Sequence, residues 1–191
     1  MLLPLSLALA GVVSGLAWRR PAWGVLDARA MQHINRMALP NVIDGGLGVL
    51  RLAGTTAFFI TALILAGLAR PTWAIGLGVA AFMVEAITKG LKVLIRRKRP
   101  FSAEPGVIVR LPRLPTDPSF PSGDAMRAAF LCGLALTAAQ VPPWGAAVCL
   151  LTSVLVALGR VRAGAHYPLD VWAGFHLGLG AALAWAGALG L

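Results

Sequence analysis

A histidine and an aspartate near the C-terminal end of the chain have the types and spacing of a nucleophile and the group that orients it. His166 precedes Pro168, which suits the first turn of a helix, and Asp170 then lies in that turn, four residues after the histidine. A carboxylate that accepts from an imidazole makes the other ring nitrogen nucleophilic. Arg160 is expected just past the end of the preceding helix, pointing at the same place. The simpler interpretation is that these are ordinary polar residues at a membrane interface. An arginine, a histidine and an aspartate together at one boundary make that interpretation weaker.

Two further segments carry groups that bind anions. Lys92 and Arg99 are seven residues apart and share a face if the predicted helix before them continues that far. Ser122 and Gly123 precede another predicted helix, where a hydroxyl and free backbone N–H groups can face an anion. Taken alone, the first segment is better explained as a basic collar for lipid phosphates, and the second as an ordinary N-cap made by Ser122 or Asp124. Together with His166, however, the fixed positive charge and the oriented donors predict phosphoryl transfer.

The composition indicates an integral membrane protein. Of the 191 residues, 58% are apolar and 13% are charged, whereas about 25% are charged in soluble domains. We expect one domain over residues 1–191. Basic residues outnumber acidic ones by 17 to 7, and in so apolar a chain we expect them to meet the lipid bilayer or a phosphorylated lipid rather than nucleic acid. Cys132 and Cys149 fall in apolar runs, which predicts buried thiols and no metal site.

Six segments are apolar enough and nearly long enough to cross a bilayer, which takes about 20 residues. They cover residues 2–18, 46–69, 73–91, 125–141, 144–158 and 169–191. The predicted fold is therefore all-α, a six-transmembrane-helix bundle. Between the first two spans, apolar residues at helical spacing predict a short interfacial helix. The first span has no basic stretch before it, so we do not expect a cleaved signal peptide.

The predicted topology brings all the chemically interesting segments to one face of the membrane. That face also carries Arg19, Arg20, Arg29 and Arg36, whereas the opposite face carries Arg70 and little else. The excess of cations predicts that this face is cytoplasmic.

These segments resemble the motifs of the type-2 phosphatidic-acid phosphatase superfamily, the lipid phosphate phosphatases. The family pattern is Lys-x6-Arg-Pro, then Pro-Ser-Gly-His, then Ser-Arg-x5-His-x3-Asp. Residues 92–100, 121–124 and 159–170 match it in order and spacing, within a resemblance over about residues 73–180. The text around the second motif is most similar to the polyisoprenoid diphosphate phosphatase branch.

The resemblance implies a phosphohistidine mechanism that needs no metal and no cofactor. His166 would attack phosphorus, Asp170 would orient it, and water would hydrolyse the phosphohistidine. Arg127 is a candidate substrate contact. Five groups would hold the phosphoryl oxygens: Lys92, Arg99, Ser122, the Gly123 backbone and Arg160. Bacterial relatives that act on carrier lipids place this site outside the cytoplasm, against the charge count.

Two positions depart from the family pattern. Gly159 replaces a serine, which removes a hydroxyl donor. Asp124 stands where the family has a histidine that acts as general acid, and an aspartate is normally ionised at neutral pH. Three interpretations stay open: burial keeps Asp124 protonated, the substrate has a good leaving group, or the chain is inactive, by nature or by engineering.

The leaving group favours one substrate class. A lipid monophosphate expels an alkoxide, which depends on a proton donor, whereas a diphosphate attacked at its terminal phosphorus expels a phosphate monoester. Loss of the general acid therefore favours diphosphates, and the leading hypothesis is a membrane phosphatase of isoprenoid diphosphates. A lipid phosphotransferase and a catalytically impaired lipid-phosphate-binding protein are the alternatives. A channel or transporter is disfavoured because the polar residues gather at one interface.

Overall fold

The computed structural model describes residues 2–138 and 141–189, and most of them are helical. In chain order, the helices of these residues are α1 (Leu2–Gly15), α2 (Pro21–Arg36), α3 (Asn41–Leu50), α4 (Thr56–Ala69), α5 (Ala74–Ile95), α6 (Pro100–Ala103), α7 (Gly123–Ala138), α8 (Pro143–Arg162) and α9 (Pro168–Leu189). Short 3₁₀ turns cover Leu16–Arg19, Arg51–Gly54 and Pro71–Trp73.

Several of these helices are built to cross a membrane. Within the described residues, four segments are long and apolar enough, namely Leu2–Arg19, Pro71–Ala103, Pro143–Arg162 and Pro168–Ala188. The pair Asn41–Gly54 and Thr56–Ala69, bent by 55°, makes a fifth if it is one span. Large apolar side chains on the outer surface, among them Leu2, Ile75 and Leu94, are more than three-quarters exposed, as a lipid environment requires. The all-α class is confirmed, and the chain is an integral, multi-pass membrane protein.

Two helices that the sequence predicts as simple spans differ in the structure. The segment predicted at 46–69 is broken, because Thr55 takes an extended conformation and its hydroxyl accepts the N–H of Phe58 at 3.3 Å, which starts α4 as a new helix. The helix predicted at 144–158 continues to Arg162. Arg160 therefore lies in the last turn of α8 and not beyond the helix. The first residue after it with a positive φ is Gly164.

The end of α5 changes how the two predicted cations of the first motif are related. The helix stops at Ile95, and Arg96 takes a left-handed conformation with φ of 50°. Lys92 lies in the last turn of α5, whereas Arg99 follows a non-helical stretch. The helix does not continue far enough for the two to share one helix face, so any contact between them depends on the tertiary structure.

A buried apolar cluster lies where α7 and α9 pack against α4 and α5. Gly174 and Gly178 of α9 leave no room for a Cβ, because the backbones of Ser122 and Met126 lie against them. This close approach sets the start of α7 beside the start of α9, where the Ser122 N–H donates to the backbone oxygen of Asp170 at 3.0 Å.

Helix α2 is attached to the bundle by a polar face. Asp27, Met31 and Asn35 are its buried residues, at a spacing of four, whereas Leu26 is exposed. The side chain of Asn35 donates to the carbonyls of residues 108 and 162 at 2.8 Å each. This helix thereby closes the end of the bundle at which the motifs lie.

Candidate active site

A cavity of about 300 Å³ opens at the end of the bundle where α5, α7 and α8 meet the loop before α7. Seven of the residues predicted for the site line it: Lys92, Arg99, Gly123, Asp124, Arg127, Arg160 and His166. Ser122 and Asp170 are both fully buried and do not line the cavity wall. Three segments far apart in sequence therefore form one polar cavity.

His166 is held between the cavity and a buried carboxylate. Its side chain is 2% exposed, and its Nε2 is 3.1 Å from Nη1 of Arg99. On the opposite side of the ring, Nδ1 is 3.7 Å from Oδ2 of Asp170 and 3.5 Å from the hydroxyl of Ser119. This arrangement leaves Nε2 as the nitrogen nearest to the cationic groups of the cavity.

Asp170 is fixed from several directions. Its Oδ1 accepts from Nη1 of Arg97 at 2.7 Å, and its Oδ2 accepts from the backbone N–H of Tyr167 at 2.9 Å and from the hydroxyl of Ser119. The other end of the Arg97 guanidinium donates to Asp27 at 2.6 Å. Because buried charges are stable only when paired and hydrogen-bonded, this network locks the carboxylate behind His166.

The environment keeps His166 in its neutral form. Burial is the largest cause, and the charges of Arg99 and Arg160 act in the same direction against the opposing effect of Asp170. Together they lower the pKa of His166 to about 3. A neutral imidazole keeps one unprotonated ring nitrogen, which a nucleophile needs.

Lys92 and Arg99 meet through a residue that the sequence did not single out. The ammonium of Lys92 is 2.5 Å from Oδ2 of Asp117, and Nη2 of Arg99 is 2.8 Å from Oδ1. Burial opposes the ionisation of Asp117, but the two cations outweigh it and lower its pKa to about 2. The loop before α7 therefore joins the two cations, which the helix does not.

Asp124 serves as an ion-pair partner in this structure. Its Oδ2 is 2.9 Å from Nε of Arg160, and its Oδ1 is 3.5 Å from Nη2 of Arg127. Arg127 is held by the hydroxyl of Thr56 at 2.8 Å and lies 3.5 Å from Glu85. Arg127 therefore lies between two carboxylates, those of Asp124 and Glu85.

Two buried guanidinium groups at the cavity are held by ion pairs without aligned hydrogen bonds at Nε. Nε of Arg160 lies 2.9 Å from Asp124, and Nε of Arg127 lies 3.5 Å from Glu85. Gly123, the first residue of α7, also lines the cavity, at the helix end that attracts anions. Ser122 accepts the N–H of Ala125 at 3.4 Å, as an N-cap does. Guanidinium groups beside a helix N-terminus can receive the oxygens of an anion.

Sequence reasoning did not identify the supporting residues Asp27, Arg97, Asp117 and Ser119. Asp27 and Arg97 are 70 positions apart, so no local pattern relates them. A signal did exist for Asp117 and Ser119, because both lie just before the Pro-Ser-Gly motif, and Asp117 is an isolated acid within a basic loop.

Known proteins resemble this chain in sequence. The undecaprenyl-diphosphatase of Sulfolobus acidocaldarius is 35% identical over 121 residues, which are 62% of this chain and 56% of that protein. The decaprenylphosphoryl-5-phosphoribose phosphatase of Mycobacterium tuberculosis is 36% identical over 116 residues, 57% of this chain and 56% of the relative. The chain thus spans little more than half the length of these curated relatives.

Two solved structures share the fold. The transmembrane PAP2-type phosphatidylglycerolphosphate phosphatase of Bacillus subtilis has a TM-score of 0.84 at 24% identity, covering 100% of this chain and 97% of its own. Aquifex aeolicus LpxE has a TM-score of 0.72 at 24% identity, covering 82% and 92%. The PAP2 superfamily model matches residues 71–189, which is more than half of the sequence and includes all three motifs. The resemblance inferred from those motifs is confirmed, and the chain belongs to the PAP2 superfamily.

Proposed function

We propose that this protein is a membrane phosphatase that hydrolyses lipid phosphates through a phosphohistidine intermediate. The observation that carries the proposal is the position of His166, whose Nε2 lies 3.1 Å from Arg99 in a cavity that Lys92 and Arg160 also line. A neutral nucleophile beside fixed cations is what transfer of a phosphoryl group requires. The phosphatase names of two sequence relatives support the same activity.

In the proposed reaction, Lys92, Arg99 and Arg160 hold the phosphoryl oxygens while Nε2 of His166 attacks phosphorus. The bond from phosphorus to the leaving oxygen breaks, and that oxygen keeps the electron pair. Asp170 stabilises the positive charge that develops on the imidazole. Water then attacks the phosphohistidine, the N–P bond breaks, and orthophosphate and neutral His166 are regenerated.

The substrate we propose is an isoprenoid diphosphate. An apolar groove of about 450 Å³ runs between α4 and α5, and it includes Ile60 and Ala81. These residues are one helical turn from Thr56 and Glu85 in the polar cavity, so a lipid headgroup and tail can occupy the two sites together. Asp124 forms ion pairs with Arg160 and Arg127 and is therefore not placed as a free proton donor. Cleavage of a diphosphate depends less on a proton donor than cleavage of a monophosphate does.

We further propose the complete membrane arrangement. The domain extends over residues 1–191, with its motif-bearing core at about 73–180. The chain crosses the membrane six times if α3 and α4 together form one span and α7, of which 16 residues are described, forms another. α2 lies on the membrane surface, since its polar face is turned to the protein and Leu26 is exposed. The basic residues Arg19, Arg20 and Arg29 support a cytoplasmic orientation of this face.

The test is phosphate release by the purified full chain from farnesyl diphosphate and farnesyl phosphate, with and without a chelator. We expect release that does not depend on metal, and its loss in His166→Ala with the melting temperature kept. His33→Ala is the matched control, because His33 is an exposed residue of α2. Turnover at the wild-type rate in His166→Ala would contradict the mechanism. Binding without release would instead support the lipid-phosphate-binding alternative, and more product with an added lipid acceptor would support a phosphotransferase.

A further inference from the structure

Asp117 occupies the place between the two cations that the first motif contributes to the cavity. Its carboxylate oxygens lie 2.5 Å from Lys92 and 2.8 Å from Arg99. Those are the distances of charge-assisted hydrogen bonds, which phosphate oxygens would also adopt. Lys92, Arg99 and Asp117 all line the same cavity as His166. A carboxylate of the protein itself therefore engages groups that a bound phosphate needs.

We propose that Asp117 is an internal competitor for the phosphate subsite, displaced when phosphate binds and returning when phosphate leaves. The proposal rests on the proposed function only in requiring that Lys92 and Arg99 bind phosphate, and it does not require turnover. Asp117 would set the affinity for substrate and assist the release of the orthophosphate product.

The structure allows the carboxylate to leave while the cations stay. The side chain of Asp117 is 50% exposed, whereas those of Lys92 and Arg99 are 9% and 5% exposed. A displaced Asp117 carboxylate therefore passes into water, which solvates it at little cost. Its backbone can stay in place, because Arg99 holds the Asp117 backbone oxygen separately at 2.8 Å.

The two cations keep other partners without that carboxylate. Lys92 donates to the carbonyl of Pro118 at 3.0 Å. Arg99 donates to the backbone oxygen of Asp117 at 2.8 Å and to that of Ala165 at 3.0 Å. Removing the negative charge of Asp117 thus leaves both cations in place with free hydrogen-bonding capacity.

A purely structural role for Asp117 predicts the opposite change in affinity. If the carboxylate were needed to hold Lys92 and Arg99 together, its removal would let the like charges move apart, and phosphate would bind more weakly. If it competes with phosphate, its removal makes phosphate bind more tightly. The sign of the change therefore distinguishes the two roles.

The experiment measures the dissociation constant of inorganic phosphate by isothermal titration calorimetry on the full chain in detergent. We expect Asp117→Asn to bind phosphate on the order of tenfold more tightly, from the strength of two partly exposed ion pairs. Asp117→Glu keeps the charge and should stay near the wild-type affinity. Glu104→Gln removes one negative charge elsewhere while keeping an acceptor for the Tyr167 hydroxyl, and it should have no such effect.

The proposal would be overturned if Asp117→Asn, shown by its melting temperature to be folded, bound phosphate no more tightly than the wild type. It would also be overturned if Glu104→Gln gained as much phosphate affinity as Asp117→Asn. Lys92→Ala tests the subsite independently. If it loses phosphate binding while Asp117→Asn matches the wild type, the subsite stands and Asp117 has no competing role. If neither the wild type nor Asp117→Asn binds phosphate, the competitor and the proposed phosphate site fail together.

Discussion

Replacing Asp124 by histidine should raise activity on lipid monophosphates far more than on diphosphates. In the structure Asp124 has its carboxylate 2.9 Å from Arg160 and 3.5 Å from Arg127, and it faces the cavity in which the substrate would bind. Asp124→His makes two changes at once, because it removes a negative charge that repels phosphate and it introduces a group that can protonate the leaving oxygen.

The two changes affect different kinetic constants. General acid catalysis contributes on the order of 10²–10⁴-fold, and it acts on kcat where the leaving group is an alkoxide. The lost ion pair with Arg160 offsets part of this, about fivefold for a pair worth ~1 kcal/mol. The expected gain in kcat on a monophosphate is therefore at least about tenfold. On a diphosphate the gain should be smaller and should appear as a lower KM.

The assay compares initial rates on farnesyl phosphate and farnesyl diphosphate from pH 5.5 to 8.5. Asp124→Asn is the matched control, since it removes the charge without adding a proton donor. A gain that is equal on both substrates, confined to the diphosphate, or reproduced by Asp124→Asn would refute the leaving-group reasoning. If Asp124 is already a working acid, the wild type will cleave the monophosphate and lose that activity as the pH rises.

Three further predictions concern the nucleophile, its support and the topology. Because the pKa of His166 is lowered to about 3, its neutral, reactive form persists at acidic pH. The value of kcat/KM, corrected for substrate ionisation, should therefore not fall between pH 7 and pH 4.5. A fall centred near pH 6.5 would contradict this prediction. Arg97→Ala should lower kcat on the order of 100-fold with little change in KM, because it releases Asp170, and Arg97→Lys should restore part of the rate; an effect on KM alone would argue against this positioning role. In a cysteine-free background, Lys98→Cys, at an exposed position, should be labelled only from the cytoplasmic side of sealed vesicles, and labelling only from outside would defeat the charge-based orientation.

Much of the architecture was predictable because it follows from local physical chemistry. The apolar segments predicted the all-α class and the membrane location, since a backbone in lipid must satisfy its own hydrogen bonds. Pro168 marks the first turn of α9, as the sequence predicted. The motif spacing also indicated that Lys92, Arg99, Arg160 and His166 belong to one site, which is the cavity they line.

The tertiary structure decided which side chains hold those groups in place and which carboxylates pair with their positive charges. The periodicity of the sequence does not predict that α5 ends at Ile95, or that the carboxylate of Asp117 bridges Lys92 and Arg99. Such contacts join residues tens of positions apart, and their strength depends on burial and on distances of a few ångströms, which a linear pattern does not encode. The sequence by itself determined the fold class and the residues available for chemistry in the three motifs. Only the packing of the helices decided that Arg97 holds Asp170 and that Asp117 lies between Lys92 and Arg99.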